Sequence, residues 1–157
     1  MTPAVRAAES AGIEFKLHRY EHDDNADSFG LEAAEKLGIA PDRLFKTLIA
    51  QLDGKQLVMA LVPVAARLDL KKLALLLAGK KAELASPVAA ERATGYVVGS
   101  ISPLGGRKKL PTFMDASISA HSTVFVSAGQ RGLQMELAPQ DLLCLTSATL
   151  AALTAQA

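Results

Sequence analysis

The sequence predicts an α+β fold: a single domain with a mixed, mainly antiparallel sheet and helices at its periphery. Helical and strand patterns alternate along the 157 residues, a length that suits one domain. Asp53-Gly54 separates two apolar runs and predicts a β-hairpin, because glycine tolerates the positive φ of a tight turn. This hairpin and the short strands clustered late in the chain argue against a doubly wound parallel sheet.

The first helix and the first strand have clear local signals. Thr2 suits the N-cap, Pro3 the first helical position and Gly12 the C-terminal stop, which together predict a helix between them. Apolar and polar residues then alternate over 13–18. This period predicts a half-buried strand that ends near Tyr20.

The middle of the chain begins with a polar loop over 21–27. A second helix is expected over 28–37, capped by its first serine and stopped by Gly38. The two apolar runs at 44–52 and 56–62 are the strands of the hairpin. Their apolar residues predict a buried position in the sheet.

Two further helices are predicted over 70–78, stopped by Gly79, and over 87–93, which starts with proline. Beyond Gly95 the chain becomes rich in glycine, proline and serine. The last predicted elements are short strands near 112–115, 123–127 and 134–137 and a helical tail from Pro139, whose Ala-rich end is expected to fray.

Composition excludes several functional classes. The 17 Lys and Arg nearly balance the 16 Asp and Glu, so the chain is no polycation for generic nucleic-acid binding. One Cys and three His exclude a disulfide scaffold and leave no complete set of zinc ligands. The start of the chain lacks a signal-peptide pattern, and the longest apolar run, 73–78, is too short to span a membrane. We expect a soluble cytoplasmic protein without a metal or cofactor.

Two local features could carry chemistry. Lys46 lies in an otherwise apolar strand, so its side chain either reaches solvent or points into a cleft, where it would face a phosphate or carbonyl oxygen. The loop from Gly99 to Pro103 is either a plain turn or a cradle whose backbone N–H groups face an anionic oxygen. It matches neither a Walker A loop nor a dinucleotide-binding loop. Both alternatives stay open at this level.

The histidines, serines, cysteine and basic runs of the chain do not form a recognisable catalytic or metal-binding pattern. No metal site is expected at His18 and His22, and no serine has the Gly-x-Ser-x-Gly context of a hydrolase. Cys144 has apolar neighbours and is expected to be a packed core thiol. The basic runs 107–109 and 80–81 predict solvated loops, with contact to a phosphate backbone as the alternative.

Taken in order, several blocks of the sequence resemble the YbaK family of Cys-tRNA(Pro) deacylases, which is related to the editing domain of bacterial prolyl-tRNA synthetases. The resemblance spans nearly the whole chain. The blocks are 20–22 (YEH), 45–48 (FKTL), 68–72 (LDLKK), 94–99 (TGYVVG), 101–105 (ISPLG), 110–112 (LPT) and 126–133 (VSAGQRGL).

The resemblance implies a trans-editing deacylase that removes cysteine from mischarged tRNA(Pro), with Cys-tRNA(Cys) as a further candidate substrate and the substrate thiol as the nucleophile. Such an enzyme needs no catalytic Cys or His of its own. The implied partners are the acceptor end of tRNA(Pro) and prolyl-tRNA synthetase. Two alternatives remain: a deacylase for another small amino acid, such as Ala-tRNA(Pro), and a non-catalytic relative that binds tRNA or the synthetase.

The resemblance also implies which residues form the site. The essential lysine of the family matches Lys46, and the GxxxP loop matches 99–103. The implied catalytic residues are Lys46, which fixes the ester near the terminal adenosine, and Gly99 and Ser100, whose N–H groups face the developing oxyanion. The implied substrate-binding residues are Tyr20, Phe29, Ile101, Pro103, Ser127 and Gln134.

One of these positions departs from the family pattern. After Arg131-Gly132-Leu133 the family carries an Asp that suits the substrate ammonium, whereas this chain has Gln134, and its next acid is Glu136. Glutamine accepts a hydrogen bond but carries no charge. The preference for cysteine over another small amino acid therefore stays open.

Overall fold

The structure, a computed structural model, describes residues 1–24 and 28–155. Part of the predicted polar loop, residues 25–27, and the last two residues lie outside the described ranges. Its helices are α1 (Pro3–Ala11), α2 (Phe29–Leu37), α3 (Leu70–Leu76), α4 (Pro87–Thr94) and α5 (Pro139–Thr146). Its strands are β1 (Phe15–Arg19), β2 (Phe45–Leu52), β3 (Gln56–Pro63), β4 (Ala82–Leu84), β5 (Thr112–Asp115), β6 (Val124–Gln130), β7 (Leu133–Leu137) and β8 (Thr149–Ala151).

The predicted α+β class with mostly antiparallel pairing is confirmed, but the strands divide between two sheets rather than forming one. The first sheet has the order β1-β7-β6 and is antiparallel. The second has the order β4-β2-β3-β5-β8, in which β3-β5 and β5-β8 are parallel. The Asp53-Gly54 turn joins β2 to β3 as predicted, with Leu52 opposite Gln56.

The predicted capping residues of α1 and α2 form the expected contacts at the helix ends. The Thr2 hydroxyl accepts a hydrogen bond from the Val5 N–H, and Gly12 ends α1 in the left-handed conformation. Ser28 caps α2 through the Leu31 N–H, and Gly38 ends it in the same way as Gly12 ends α1. Local sequence therefore sets both ends of α1 and of α2.

The two sheets meet at one point and then separate. Leu44, just before β2, forms a parallel bridge with Phe125 of β6. Farther along, β4 pairs with β2 only at residues 50–52, and the Ala85 N–H donates to the Ile49 carbonyl at 2.9 Å. Among the described residues, no strand therefore lies beside 46–48 on this edge of β2. The gap left there becomes the site.

Apolar side chains fill both faces of this arrangement. The largest buried cluster lies between the inner faces of both sheets and α1, and it contains Phe45, Ile49 and Met135. A smaller cluster packs α2 against the opposite face through Ala33 and Phe125. A third cluster covers the other face of the second sheet, where Ala50 and Val62 pack against Leu73 of α3.

Three details of the second half of the chain differ from the sequence prediction. α3 ends at Leu76, and Ala78 rather than Gly79 is left-handed, with φ 55°. A Cβ at Gly79 would lie 2.3 Å from the Leu52 side chain, so close packing requires this glycine. The short strand β4 was not predicted.

The predicted frayed tail is wrong for the residues up to 155. The chain leaves α5 and forms β8 parallel to β5, and Leu153 is fully buried. The Leu153 N–H donates to the Asp115 carboxylate at 2.9 Å. These stabilising contacts come from residues distant in sequence, which composition alone does not reveal.

Cys144 is exposed, so the prediction of a core thiol is wrong. α5 buries Leu142, and two residues along a helix rotate a side chain by about 200°. Within the described ranges no helix is long and apolar enough to cross a membrane.

Candidate functional site

A cavity of about 340 Å³ lies where β2 and β6 separate. Its walls come from β2, the start of α2, the loop after α4 and the paired strands β6 and β7. Its lining residues are Ser28, Phe29, Gly30, Leu44, Phe45, Lys46, Thr47, Leu48, Ile49, Val64, Leu84, Ala85, Ala90, Val98, Gly99, Ile101, Ser127 and Gln134. The fold thus brings Phe29, Lys46, Gly99, Ile101, Ser127 and Gln134, all of them predicted from the sequence, to one cavity.

Lys46 is the cation of this cavity. Its ammonium is half-buried and donates one long hydrogen bond of 3.4 Å to the Val64 carbonyl. None of the lining residues is an Asp or Glu, and no ion pair of Lys46 occurs among the described residues. Burial lowers the pKa of Lys46 below its ordinary value. An anionic or strongly polar oxygen of a ligand would supply the partner that the protein does not provide.

Gly99 begins the loop on the opposite wall. It has φ 94°, and a Cβ there would lie 2.4 Å from the Phe29 ring, so glycine is required by both conformation and packing. Within the described part of the chain, the N–H groups of Gly99 and Ile101 have no hydrogen-bond acceptor. Both groups are therefore available to an oxygen of a ligand.

Ser100 and Pro103 do not take the positions expected from the sequence. The Ser100 N–H donates to the Val97 carbonyl at 2.9 Å, and its side chain is buried. This bond conflicts with the predicted contact between the Ser100 N–H and an oxyanion. Pro103 lies in the wall of a second cavity of about 240 Å³, because the chain bends where the Leu104 N–H bonds the Ser102 hydroxyl.

Two buried oxygen atoms of the lining residues have no hydrogen-bond partner: Oγ1 of Thr47 and Oε1 of Gln134. Gln134 is only 7% exposed, so the unpaired atom costs stability. In a β-strand, the backbone N–H and carbonyl groups of residues two apart point to the same edge. The Ile49 carbonyl accepts a hydrogen bond from the Ala85 N–H at the β4 edge of β2. The N–H and carbonyl of Thr47 therefore point to this edge as well, where β2 has no neighbouring strand among the described residues. Acceptors without partners beside a cavity suit a ligand that donates hydrogen bonds, such as an ammonium group.

Phe29 forms the wall beside Gly99 and is held in place from two directions. The Arg131 guanidinium lies 4.7 Å from the ring centroid, a cation–π distance. The His22 ring centroid is 5.2 Å away. His22 in turn contacts the Glu32 carboxylate at 2.7 Å. Burial tends to raise the pKa of Glu32, but hydrogen bonds from the Asp23 N–H, His22 and Lys36 lower it overall.

Tyr20 stands behind the cavity rather than in its lining. It packs against the cluster on the α2 side, and its backbone N–H donates to the Gly132 carbonyl at 3.0 Å. Burial raises the pKa of the Tyr20 hydroxyl, although a backbone group of Gly132 and the side chain of Gln134 act in the opposite direction. Tyr20 therefore lies next to Gln134 but is not among the residues that line the cavity.

Thr47 and Arg131 were not among the site residues predicted from the sequence. Thr47 is adjacent to Lys46, but nothing local shows that β2 lacks a neighbour there. Arg131 follows β6 directly, and the turn that brings it over Phe29 depends on pairing between β6 and β7. No group of three or more potential metal-ligating side chains occurs within residues 1–24 and 28–155.

The chain resembles proteins of aminoacyl-tRNA editing. Residues 24–145 match the sequence profile of the aminoacyl-tRNA editing domain. The chain is 39% identical over 154 residues to EbsC of Enterococcus faecalis, a proposed Cys-tRNA(Pro)/Cys-tRNA(Cys) deacylase, and the match covers 98% of this chain and 93% of that protein. It is 31% identical over 111 residues to the uncharacterised protein YwhH of Bacillus subtilis, covering 71% and 70% of the two chains.

The similarity extends to three dimensions. The fold is similar to the crystal structure of a proposed trans-editing enzyme for prolyl-tRNA synthetase, with a TM-score of 0.86 and 25% sequence identity. That match covers 99% of both chains. The architecture described above is therefore shared along the whole length of a solved structure.

Proposed function

Because the chain belongs to the aminoacyl-tRNA editing domain family, we propose that it is an aminoacyl-tRNA deacylase that clears mischarged Cys-tRNA(Pro), with Cys-tRNA(Cys) as a second substrate. The observation that carries the proposal is a cavity lined by the half-buried Lys46, which has no ion pair among the described residues, and by Gly99 and Ile101, whose N–H groups have no acceptor there. The ammonium is suited to bind a phosphate of the terminal nucleotide, and the N–H groups are suited to bind the carbonyl oxygen of an ester. The proposal treats residues 1–157 as one editing domain that acts in the cytoplasm.

A separate editing site answers a physical limit of amino-acid selection. A synthetase pocket discriminates by only about 1–3 kcal/mol between side chains that differ by one methylene. Cysteine and alanine are small enough to enter a site built for proline. A cavity of about 340 Å³ with an apolar wall at Phe29 accepts such a small side chain together with part of the terminal nucleotide.

The cleavage step uses the thiol of the substrate. Its sulfur attacks the ester carbonyl, a C–S bond forms, and the C–O bond to the terminal ribose breaks. The thiol proton passes to solvent, and the leaving ribose oxygen takes one up. The products are free tRNA and a cyclic thiolactone, which water then opens to cysteine. In this scheme Lys46 fixes the terminal nucleotide, and Gly99 stabilises the oxyanion that forms on the carbonyl oxygen.

Deacylation of a panel of aminoacyl-tRNA(Pro) species tests this function. We expect rapid release of cysteine and, on the order of 100-fold or more slowly, release of serine, because a hydroxyl is a far weaker nucleophile than a thiolate near neutral pH. Equal rates for the two esters would instead indicate an activated water. Fastest release of alanine would establish the alternative substrate, and tRNA binding with no release under excess enzyme would establish a non-catalytic relative.

Gln134 gives a second expected result. Its unpaired Oε1 is the neutral acceptor that we assign to the substrate ammonium. Gln134→Asp adds a charge to this position, so the KM for Cys-tRNA(Pro) should fall by roughly tenfold, the difference between a neutral and a charged hydrogen bond. Gln134→Leu should raise the KM. Steady-state kinetics checks both variants, and an unchanged KM in both would remove Gln134 from the ammonium site.

We further propose prolyl-tRNA synthetase as the partner that delivers the tRNA. The net charge of +1 limits the release of counterions from tRNA phosphates, and hence the affinity of the chain for tRNA alone. Binding of tRNA(Pro) measured with and without the synthetase tests this part of the proposal.

A further inference from the structure

The hydroxyl of Ser127 is engaged within the protein. It donates a hydrogen bond to the Ser100 carbonyl at 2.8 Å and accepts one from the Gly129 N–H at 3.0 Å. A serine hydroxyl has a single proton to donate. Because that proton is already used, Ser127 lines the cavity without offering a donor to a ligand.

The segment around Ser127 is shaped to hold this contact. The pairing of β6 with β7 is irregular between Ser127 and Gln130, as in a β-bulge. Gly129 in this bulge has φ 94°, and a Cβ there would lie 2.5 Å from the Tyr96 ring. The glycine thus lets the Tyr96 ring pack against β6, directly beside the Ser127 contact.

Tyr96 anchors the far end of the same loop. Its hydroxyl donates to the Leu104 carbonyl at 2.7 Å. Burial raises the pKa of Tyr96 to about 12, so the hydroxyl keeps its proton throughout the physiological range. The loop that carries Gly99 is therefore bonded directly to β6 at Ser100, and at Leu104 it is bonded to Tyr96, whose ring packs against Gly129 of β6.

We propose that Ser127 is a positioning residue that holds the Gly99 loop through the Ser100 carbonyl, with Tyr96 as the second anchor. It does not bind the aminoacyl group. The anchored loop keeps the N–H groups of Gly99 and Ile101 directed at the ester, and these groups are the ones that the protein leaves unpaired. The inference rests on the proposed deacylase function.

Ser127→Ala tests the assignment. We expect kcat to fall about 10- to 100-fold while KM changes by less than about threefold, because displacement of a catalytic group slows the chemical step. Ser127→Thr keeps the hydroxyl and should recover most of the rate. Ser119→Ala is the control for the loss of a serine hydroxyl: Ser119 is exposed and lies outside the cavity lining, so this variant should retain the parent rate.

Hydrogen exchange gives a readout that does not require activity. In Ser127→Ala the Ser100 amide should exchange faster than in the parent, whereas it should be unchanged in Ser127→Thr. A raised KM with unchanged kcat would show that Ser127 binds substrate and would overturn the inference, as would unchanged exchange. If the parent protein cleaves no aminoacyl-tRNA, the proposed function fails, and the exchange result alone decides whether the loop is anchored.

Discussion

Lys46→Met is expected to reduce deacylation of Cys-tRNA(Pro) by on the order of 10²–10³-fold, the range seen when a preorganised group that stabilises charge is removed. Methionine is close to lysine in length but removes the charge and the long hydrogen bond to the Val64 carbonyl. The folded protein should keep its stability or gain some. Burial lowers the pKa of Lys46, which means that folding disfavours the charged form, and no carboxylate lines the cavity to compensate. Single-turnover kinetics and thermal unfolding check the two halves of this result.

The matched control is Lys55→Met in the turn of the same hairpin. Lys55 is exposed and lies outside the cavity, so this variant should retain the parent rate. Deacylation by Lys46→Met at the rate of the Lys55→Met control would show that Lys46 is no part of the site. A lower midpoint temperature of unfolding in Lys46→Met would show that the lysine instead stabilises the fold.

Gly99→Ala is expected to remove activity and to destabilise the protein. The added Cβ meets the Phe29 ring at 2.4 Å, and the backbone at φ 94° is unfavourable for any L-residue. We expect a loss of about 2–5 kcal/mol in the free energy of unfolding, the sum of a left-handed backbone term and an overpacking term. Urea denaturation measures the loss, and single-turnover deacylation of the remaining folded protein measures the activity.

Gly38→Ala separates the two contributions. Gly38 is also left-handed, with φ 67°, but a Cβ there meets nothing within 4 Å. It should therefore lose only about 1–2 kcal/mol and keep full activity. If Gly99→Ala lost no more stability than Gly38→Ala, the close approach of Phe29 to the loop would be incorrect. Full activity in Gly99→Ala would remove the loop from the catalytic machinery.

Elements with local signals could be predicted from the sequence. Thr2 and Ser28 act as helix caps where the sequence places them, and the Asp53-Gly54 turn joins the two strands expected on either side. β4 and β8 were not foreseen because each is three residues long and depends on a distant partner strand. Short strands of this kind carry no reliable periodicity.

The residues of the candidate site likewise fall into those that the sequence predicts and those whose contacts depend on the tertiary structure. The resemblance of the FKTL block and the Gly99 loop to the editing family predicts Lys46 and Gly99 as site residues from sequence alone. The engagement of the Ser127 hydroxyl depends on a hydrogen bond to the carbonyl of Ser100, 27 residues earlier in the chain. The Ser100 N–H is engaged by the turn of its own loop, through the Val97 carbonyl. Residue type and spacing cannot show that a hydroxyl is already occupied.

The α+β class, the helix caps, the hairpin and the family follow from the order of residues in the chain. Each depends on neighbouring residues or on short sequence blocks. The division of the strands into two sheets, and their separation beside residues 46–48 of β2, depend on tertiary contacts. The reason is that an unpaired strand edge arises where distant strands stop pairing. The cavity that Lys46 and Thr47 line lies at that separation.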